Sequence, residues 1–367
     1  MPRRLIVLFD GTWSKAQTRT NVERLWKSIA RTDASGTEQV CKYVPGVGVE
    51  GGIGHLLGGA FGLGLSGDVK RGYRWLSEAW RERDEIWLFG FSRGAYAARS
   101  LVGLVRKCGL LRPDAKGRVA MAEVDAAYAY YRNDTRPGAE TDRWCLRRGS
   151  FRVKVHFIGV WDTVGALGIP WVAAWFPFSR KRYAFHDTDL SRTVEYAYQA
   201  LALDEHRACF KPTTWTRPAA TLAAGESPRA WKPGQIEVEQ RWFVGSHSDI
   251  GGGEKTDGAG HRPDRLPEIT LAWMQSRAQA AGLAFSERKV PARGAELDAP
   301  NPSYRRFMFG LYKFFSRKYE RQVGGGINET IDPTVWLRWY ARPGYRPRPI
   351  ETALQAGLLE PGSCRVA

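Results

Sequence analysis

Cysteine and histidine are scarce in this chain, and membrane-length apolar runs are absent. The five cysteines among 367 residues (Cys41, Cys108, Cys145, Cys209 and Cys364) are odd in number, scattered, and form no CxxC pair. That pattern excludes a disulfide framework and a cysteine-built zinc site, and it suits a reducing compartment. No uncharged apolar stretch approaches the roughly 18 residues needed to cross a bilayer. The opening MPRRLIVLFDG has only five apolar residues before Asp10, too few for a signal-peptide core, so it reads as a first strand and a cytoplasmic start. Acidic residues are the minority charge: 38 against 55 lysines and arginines, a formal net charge of +17. The excess is spread along the chain without a nucleic-acid motif, so no nucleic acid is expected, and an anionic membrane surface is the partner it suits better.

What is present is ordinary globular composition, 43% hydrophobic and 25% charged, arranged as strands alternating with helices. Leu5 to Phe9, Val40 to Val44, Ile86 to Phe89, Val153 to Val160 and Val238 to Val244 read as strands. Between them Val22, Leu25, Trp26 and Ile29 recur at helical spacing, as do Val69, Tyr73, Leu76 and Trp80, and Ala95, Ala98, Leu101, Val102 and Val105. This alternation predicts an α/β fold: a mostly parallel sheet with helices on both faces. No internal repeat or linker divides the chain, so 1–367 is expected to be a single domain. Insertions are expected near 46–67, 133–150, 165–190 and 212–235, with a helical or tail region over about 300–367.

"IWLFGFSRGAYAARSLVGLV" (86–105) contains Gly90-Phe91-Ser92-Arg93-Gly94, a G-x-S-x-G motif between a strand and an alanine-rich helix. Such a turn exposes its serine at the sheet edge, and its glycines let strand and helix approach without Cβ clashes. A serine hydroxyl needs a base, and there are only six histidines to choose from. His55, His186, His206 and His261 sit in glycine-rich or polar segments, and His156 lies inside a strand. His247 instead follows Trp242-Phe243-Val244 in "GSHSDIGGG", just past a strand's carboxyl end, where open α/β sheets place their sites. Asp162, in "VHFIGVWDTVGALG", has the same position after its own strand. The order Ser92, Asp162, His247 is that of α/β hydrolases. Asp249, two residues from His247, is the alternative acid, and Asp187, Asp189 and Asp204 are weaker ones. The oxyanion donors are expected to be the Arg93 amide and that of Gly11 or Thr12 after the first strand, with Asp10 bracing the turn. "FDGT" also resembles the D-x-D-G-T of haloacid dehalogenase phosphotransferases, but Leu8 occupies the place of the attacking aspartate. No metal and no organic cofactor is needed for this chemistry.

Further stretches join these: "TNV" at 20–22, "GGAFGLGL" at 58–65, "ALALDE" at 200–205 and "WFVGSHSDIGGG" at 242–253. Together with "FDGTW", the serine turn and "GVWDTVGALG", they resemble the α/β-hydrolase-like domain of the type VI secretion phospholipase effectors, the first Tle lipase group. The resemblance covers about 250 residues in one order. It implies an α/β-hydrolase-like sheet with lid-like insertions and a serine triad on Ser92, Asp162 and His247. It also implies a phospholipid or other lipid ester substrate, an immunity or secretion-system protein as partner, and delivery by type VI secretion to a target-cell periplasm. Relatives often carry a histidine near the carboxyl end; here "ETIDPTVWLRW" has Asp332. Acyl-pocket or lid roles would fall to Phe61 and Leu63 in the glycine-rich 46–67 segment and to Trp171, Trp175 and Phe176 in "PWVAAWFPFSRKRYAF". The stretch 304–322 reads as a helix with Tyr304, Met308, Leu311, Phe315 and Tyr319 on one stripe beside basic residues, suited to an interface.

Overall fold

A computed structural model describes residues 2–11, 19–46, 60–133, 138–164, 190–217, 222, 225–253, 265–306, 312 and 316–366. Seven strands among these residues form one sheet: β1 Arg4–Phe9, β2 Gln39–Val44, β3 Glu85–Phe91, β4 Val155–Trp161, β5 Val194–Ala202, β6 Glu237–Phe243 and β7 Glu329–Ile331. The order is β2-β1-β3-β4-β5-β6-β7 and every pairing is parallel. The chain winds one way from β1 to β2 and the other way from β3 onward. The reversal opens a crevice at the carboxyl ends of β1 and β3, where α/β sheets take ligands.

Both faces of the sheet are covered, which explains the continuous apolar strands. Leu5, Val7 and Phe9 of β1 with Ile86 and Leu88 of β3 pack on one side. They meet Val69, Tyr73 and Leu76 of α2 (Ala60–Ala79) and Ala95, Ala98, Leu101 and Val105 of α3 (Arg93–Cys108). Ile6, Leu8, Trp87 and Phe89 face the other way. There α1 (Asn21–Ser28) supplies Val22 and Leu25, and a later helix, Leu266–Ala280, supplies Leu271 and Met274. The five expected strands are present within two residues of their predicted bounds. The helices expected around Val22–Ile29, Val69–Trp80 and Ala95–Val105 are present too, the second beginning nine residues earlier than its pattern, at Ala60. No helix of the described residues is long and apolar enough to cross a membrane.

Three stretches depart from expectation. Within 133–150, read as loop, Met121–Tyr131 (α4) is followed by a helix, α5 (Ala139–Arg148). Its Trp144 stacks on Tyr130 at 5.1 Å and Arg148 lies over Trp144, so tertiary aromatic contacts hold a stretch too charged to show a helical face. The helix expected over 304–322 is confined, among described residues, to Ser303–Arg306 and Tyr312. Residues 317–322 form neither helix nor strand, and the Tyr319 N–H is donated to the His206 carbonyl at 2.9 Å. Strands β5 and β7 were not anticipated. The short β7 adds the C-terminal region to the same sheet as β1, and Pro333–Ala341 and Arg348–Gln355 follow it as helices.

Candidate active site

The crevice is built from strand ends that lie level. In register, Phe91 faces Trp161, Trp161 faces Ala200, and Ala202 faces Phe243. The next residue after β3 is Ser92, the next after β4 is Asp162, and His247 opens α6 (His247–Gly251) four residues after β6. Three distant stretches therefore deliver their side chains to one edge. The ladder continues one step past the strands, with Ser92 N–H donating to Trp161 O at 3.1 Å and Asp162 N–H to Ala200 O at 2.8 Å.

Ser92 has φ 57° and ψ −117°, outside the helical and extended basins, as a sharp strand-to-helix turn requires. The flanking glycines have steric reasons. A Cβ on Gly90 would lie 2.4 Å from the Gly94 carbonyl oxygen, and one on Gly94 would lie 2.1 Å from that of Phe9. The half-buried Ser92 thus heads α3, whose N-terminal dipole favours negative charge beside it.

His247 Nε2 lies 2.8 Å from Ser92 Oγ, and Nδ1 lies 2.6 Å from Asp162 Oδ2. The imidazole is gripped between Phe91 (ring centroids 4.7 Å) and Phe210 (4.8 Å, edge-on). Phe91 is itself wedged against Gly251, where a Cβ would sit 2.0 Å from the ring. This glycine thus makes room for an aromatic side chain.

Asp162 is fully buried. Burial pushes its pKa up, but the Arg321 guanidinium and the His247 hydrogen bond outweigh this and hold it well below the usual carboxylate range. Arg321 donates Nη1 to Oδ1 at 2.5 Å and Nη2 to Oδ2 at 2.9 Å, and the Ala202 amide donates to Oδ1 at 3.1 Å. The alternative acid, Asp249, faces elsewhere: its Oδ2 accepts the Ser246 and Asn301 amides at 2.7 and 2.9 Å. Asp204 accepts the Gly245 amide at 2.7 Å and the Tyr345 hydroxyl at 3.1 Å. Asp187 and Asp189 lie outside the described residues. Asp332 caps Pro333–Ala341 through the Thr334 amide and pairs with Arg241 at 3.3 Å.

Asp10 braces the loop after β1, accepting the Thr20 hydroxyl at 2.8 Å and the Tyr43 hydroxyl. It also takes the Gly11 amide at 2.6 Å. The Gly11 N–H, expected to serve an oxyanion, is therefore turned to its neighbour's carboxylate; Thr12 lies outside the described residues. The Arg93 amide heads α3 beside Ser92. Burial pushes its guanidinium down to about 10 with Asp68 opposing, and burial pushes Asp68 up to about 6 against Arg71 and Arg93. Trp171, Trp175 and Phe176 lie outside the described residues, as do the side chains of Phe61 and Leu63. His156, in β4, is satisfied by Glu195 at 2.8 Å and the Ala281 carbonyl at 3.1 Å. Sequence reasoning missed Arg321, Phe210 and Glu205, whose carboxylate receives the His247 backbone amide at 3.3 Å. For Glu205 "ALALDE" was a signal; for Arg321 there was none.

An uncharacterized protein of Saccharomyces cerevisiae is 32% identical over 238 residues, 58% of this chain and 33% of the yeast protein. A crystal structure of an uncharacterized protein from Pseudomonas aeruginosa is similar at TM-score 0.44 and 18% identity, over 86% of this chain and 51% of that one. The matches thus span a third to a half of those relatives' own lengths. Residues 3–277, which carry β1 to β6 and all three side chains of the serine row, match the family described as "T6SS, Phospholipase effector Tle1-like, catalytic domain", and the chain belongs to that family.

Proposed function

We propose that this chain is a serine-dependent phospholipase that hydrolyses carboxylic esters of glycerophospholipids, acting as a type VI secretion effector on a target-cell membrane. The observation that carries the reading is the unbroken row Ser92 Oγ, His247 Nε2, His247 Nδ1, Asp162 Oδ2, at 2.8 and 2.6 Å. Family membership supports the lipid substrate, and the charge of +17 supports an anionic membrane as the surface on which it is met.

In this mechanism Ser92 Oγ attacks the ester carbonyl carbon as its proton passes to His247 Nε2. Asp162, charged and fixed, holds the imidazole with its proton on Nδ1 and offsets the imidazolium that forms. The tetrahedral oxyanion settles at the N-terminus of α3, on the Arg93 amide, and with the Gly11 amide engaged by Asp10 the second donor assigned is the Thr12 amide. The alcohol, a lysophospholipid, departs with the proton from Nε2. Water, activated by the same nitrogen, then cleaves the acyl-enzyme, releasing fatty acid and restoring Ser92.

Vesicles of phosphatidylethanolamine and phosphatidylglycerol supply the assay, with a fluorophosphonate probe for Ser92. Wild type is expected to release fatty acid and to be labelled at Ser92. Ser92→Ala is expected to lose label and to fall by about 10⁴-fold or more in turnover while keeping its circular dichroism spectrum. Undiminished turnover in Ser92→Ala would remove the assignment, and vesicle binding without labelling in wild type would make the chain a lipid-binding protein on a hydrolase scaffold.

A further inference from the structure

The carboxylate under His247 has a second partner that hydrolysis by a serine row does not itself require. Arg321 meets Asp162 as a two-pronged fork, and both side chains are wholly buried. The same two guanidinium nitrogens also donate to carbonyls, Nη1 to Ala202 at 3.0 Å and Nη2 to Phe210 at 2.8 Å. Arg321 is therefore fixed by the chain around it, not only by the acid. It comes from the non-helical stretch before β7, 159 residues from Asp162 and beyond residue 277, where the family match ends. The neighbouring turn carries a balanced pair of its own: Glu205 accepts from Arg207 Nε at 2.8 Å and Nη2 at 2.7 Å, and from Ser303 Oγ at 3.1 Å. Asp249 in α6 and Asp204 after β5, charged residues of the neighbouring turns, each accept a backbone amide.

We infer that Arg321 is a positioning residue for the reaction: it keeps Asp162 charged and aims Oδ2 at His247 Nδ1, so that Nε2 stays free to accept the serine proton. The inference rests on the reading of Ser92, His247 and Asp162 as the reacting row. A carboxylate with no exposure and no cation beside it takes up a proton instead of staying charged. Loss of the guanidinium lets Asp162 hold a proton to higher pH. The neutral acid no longer fixes the imidazole proton on Nδ1, which silences the base, so the acid limb of the pH–rate profile moves to higher pH.

The test measures fluorophosphonate labelling of Ser92 and ester turnover against pH in the full chain, with folding followed by thermal melts. In Arg321→Gln the acid limb is expected to rise by about one pH unit or more, and kcat to fall by about 10–100-fold with KM nearly unchanged. Arg321→Lys keeps the charge and loses the fork: its limb stays near that of wild type while kcat drops by about tenfold. A folded Arg321→Gln with the wild-type limb and rate would overturn the inference, because a merely structural arginine changes how much enzyme is folded and not where the limb lies. Failure of both variants to fold would also overturn it, by making Arg321 a structural residue. A wild-type chain never labelled at Ser92 would overturn the hydrolase reading along with this one, a result separable from those of the variants.

Discussion

Ser92 carries a conformation that serine does not favour. At φ 57° and ψ −117° its backbone costs on the order of 1–3 kcal/mol. The neighbours hold it there, since its N–H bonds to Trp161 O and its C=O accepts the Tyr96 N–H at 3.2 Å. Glycine reaches such angles without the Cβ penalty. Ser92→Gly is therefore expected to abolish labelling while leaving Tm unchanged or raising it by about 1–3 °C, the strain relief outweighing the added chain entropy. A calorimetric Tm several degrees below wild type would show that no strain resides at this residue. Asp162, also at positive φ (39°) and buried, presents the same economy at the next strand end: an unfavourable backbone placed where chemistry is proposed.

At the scale of elements, β1, β3 and α3 meet with almost no clearance. Gly94→Ala would push a methyl group to 2.1 Å from the Phe9 carbonyl oxygen, a backbone atom that cannot step aside. It is expected to cost more than about 3 kcal/mol in denaturant unfolding, or to prevent folding. Gly67→Ala, in the middle of α2, is the contrasting substitution: its nearest neighbour would be the end of the Arg71 side chain at 3.9 Å. There the helix is expected to gain about 0.5–1 kcal/mol. If Gly94→Ala proved as harmless as Gly67→Ala, the turn would not be as tight as described.

These elements also show which signals a sequence carries. The runs Leu5–Phe9 and Ile86–Phe89 were legible because a parallel strand covered on both faces has to be apolar throughout. Strand β5, Val194–Ala202, carries Glu195 and Gln199. Its Gln199 donates to Gln240 across the sheet at 3.0 Å and to the Thr213 carbonyl at 3.2 Å, and it accepts the Thr163 hydroxyl at 2.5 Å. No local pattern announces a polar residue whose partners lie 14, 36 and 41 residues away. The stretch 304–322 failed in the opposite sense: its stripe fits a helix, but 317–322 is not helical, and its Tyr319 and Arg321 bond to His206 and Asp162 instead. Tertiary bonds override a local propensity worth only tenths of a kcal/mol per residue.

For the whole molecule, the buried charges set the response to acid. Burial opposes ionisation of Asp162 and Glu205, but Arg321 and Arg207 outweigh it, and both carboxylates ionise well below their ordinary range. A carboxylate depressed in the folded state contributes stability above its unfolded pKa, about 4, and loses that contribution as pH falls toward the folded value. The net charge of +17 adds repulsion as the remaining acids protonate. Asp68, raised to about 6 by burial, acts in the opposite sense, so urea midpoints are expected to rise from about pH 7 to 5 and to fall below about pH 4. In Arg321→Gln, where Asp162 is no longer depressed, the midpoint starts lower at neutral pH and the curve is flatter in acid, approaching that of wild type. Parallel curves for the two proteins would show that the pair contributes nothing to folding.

The sequence by itself determined that strands alternate with helices, that a serine stands in a tight strand-to-helix turn, and that an aspartate and a histidine follow later strands. In a parallel sheet every such position falls on one edge, so order along the chain already implies nearness in space. Only the tertiary structure decided that Asp162 and not Asp249 meets the imidazole, that the Gly11 amide turns to Asp10, and that Arg321 closes the row from below. The direction in which a buried side chain points is set by what packs around it, and the packing partners here lie up to 159 residues away.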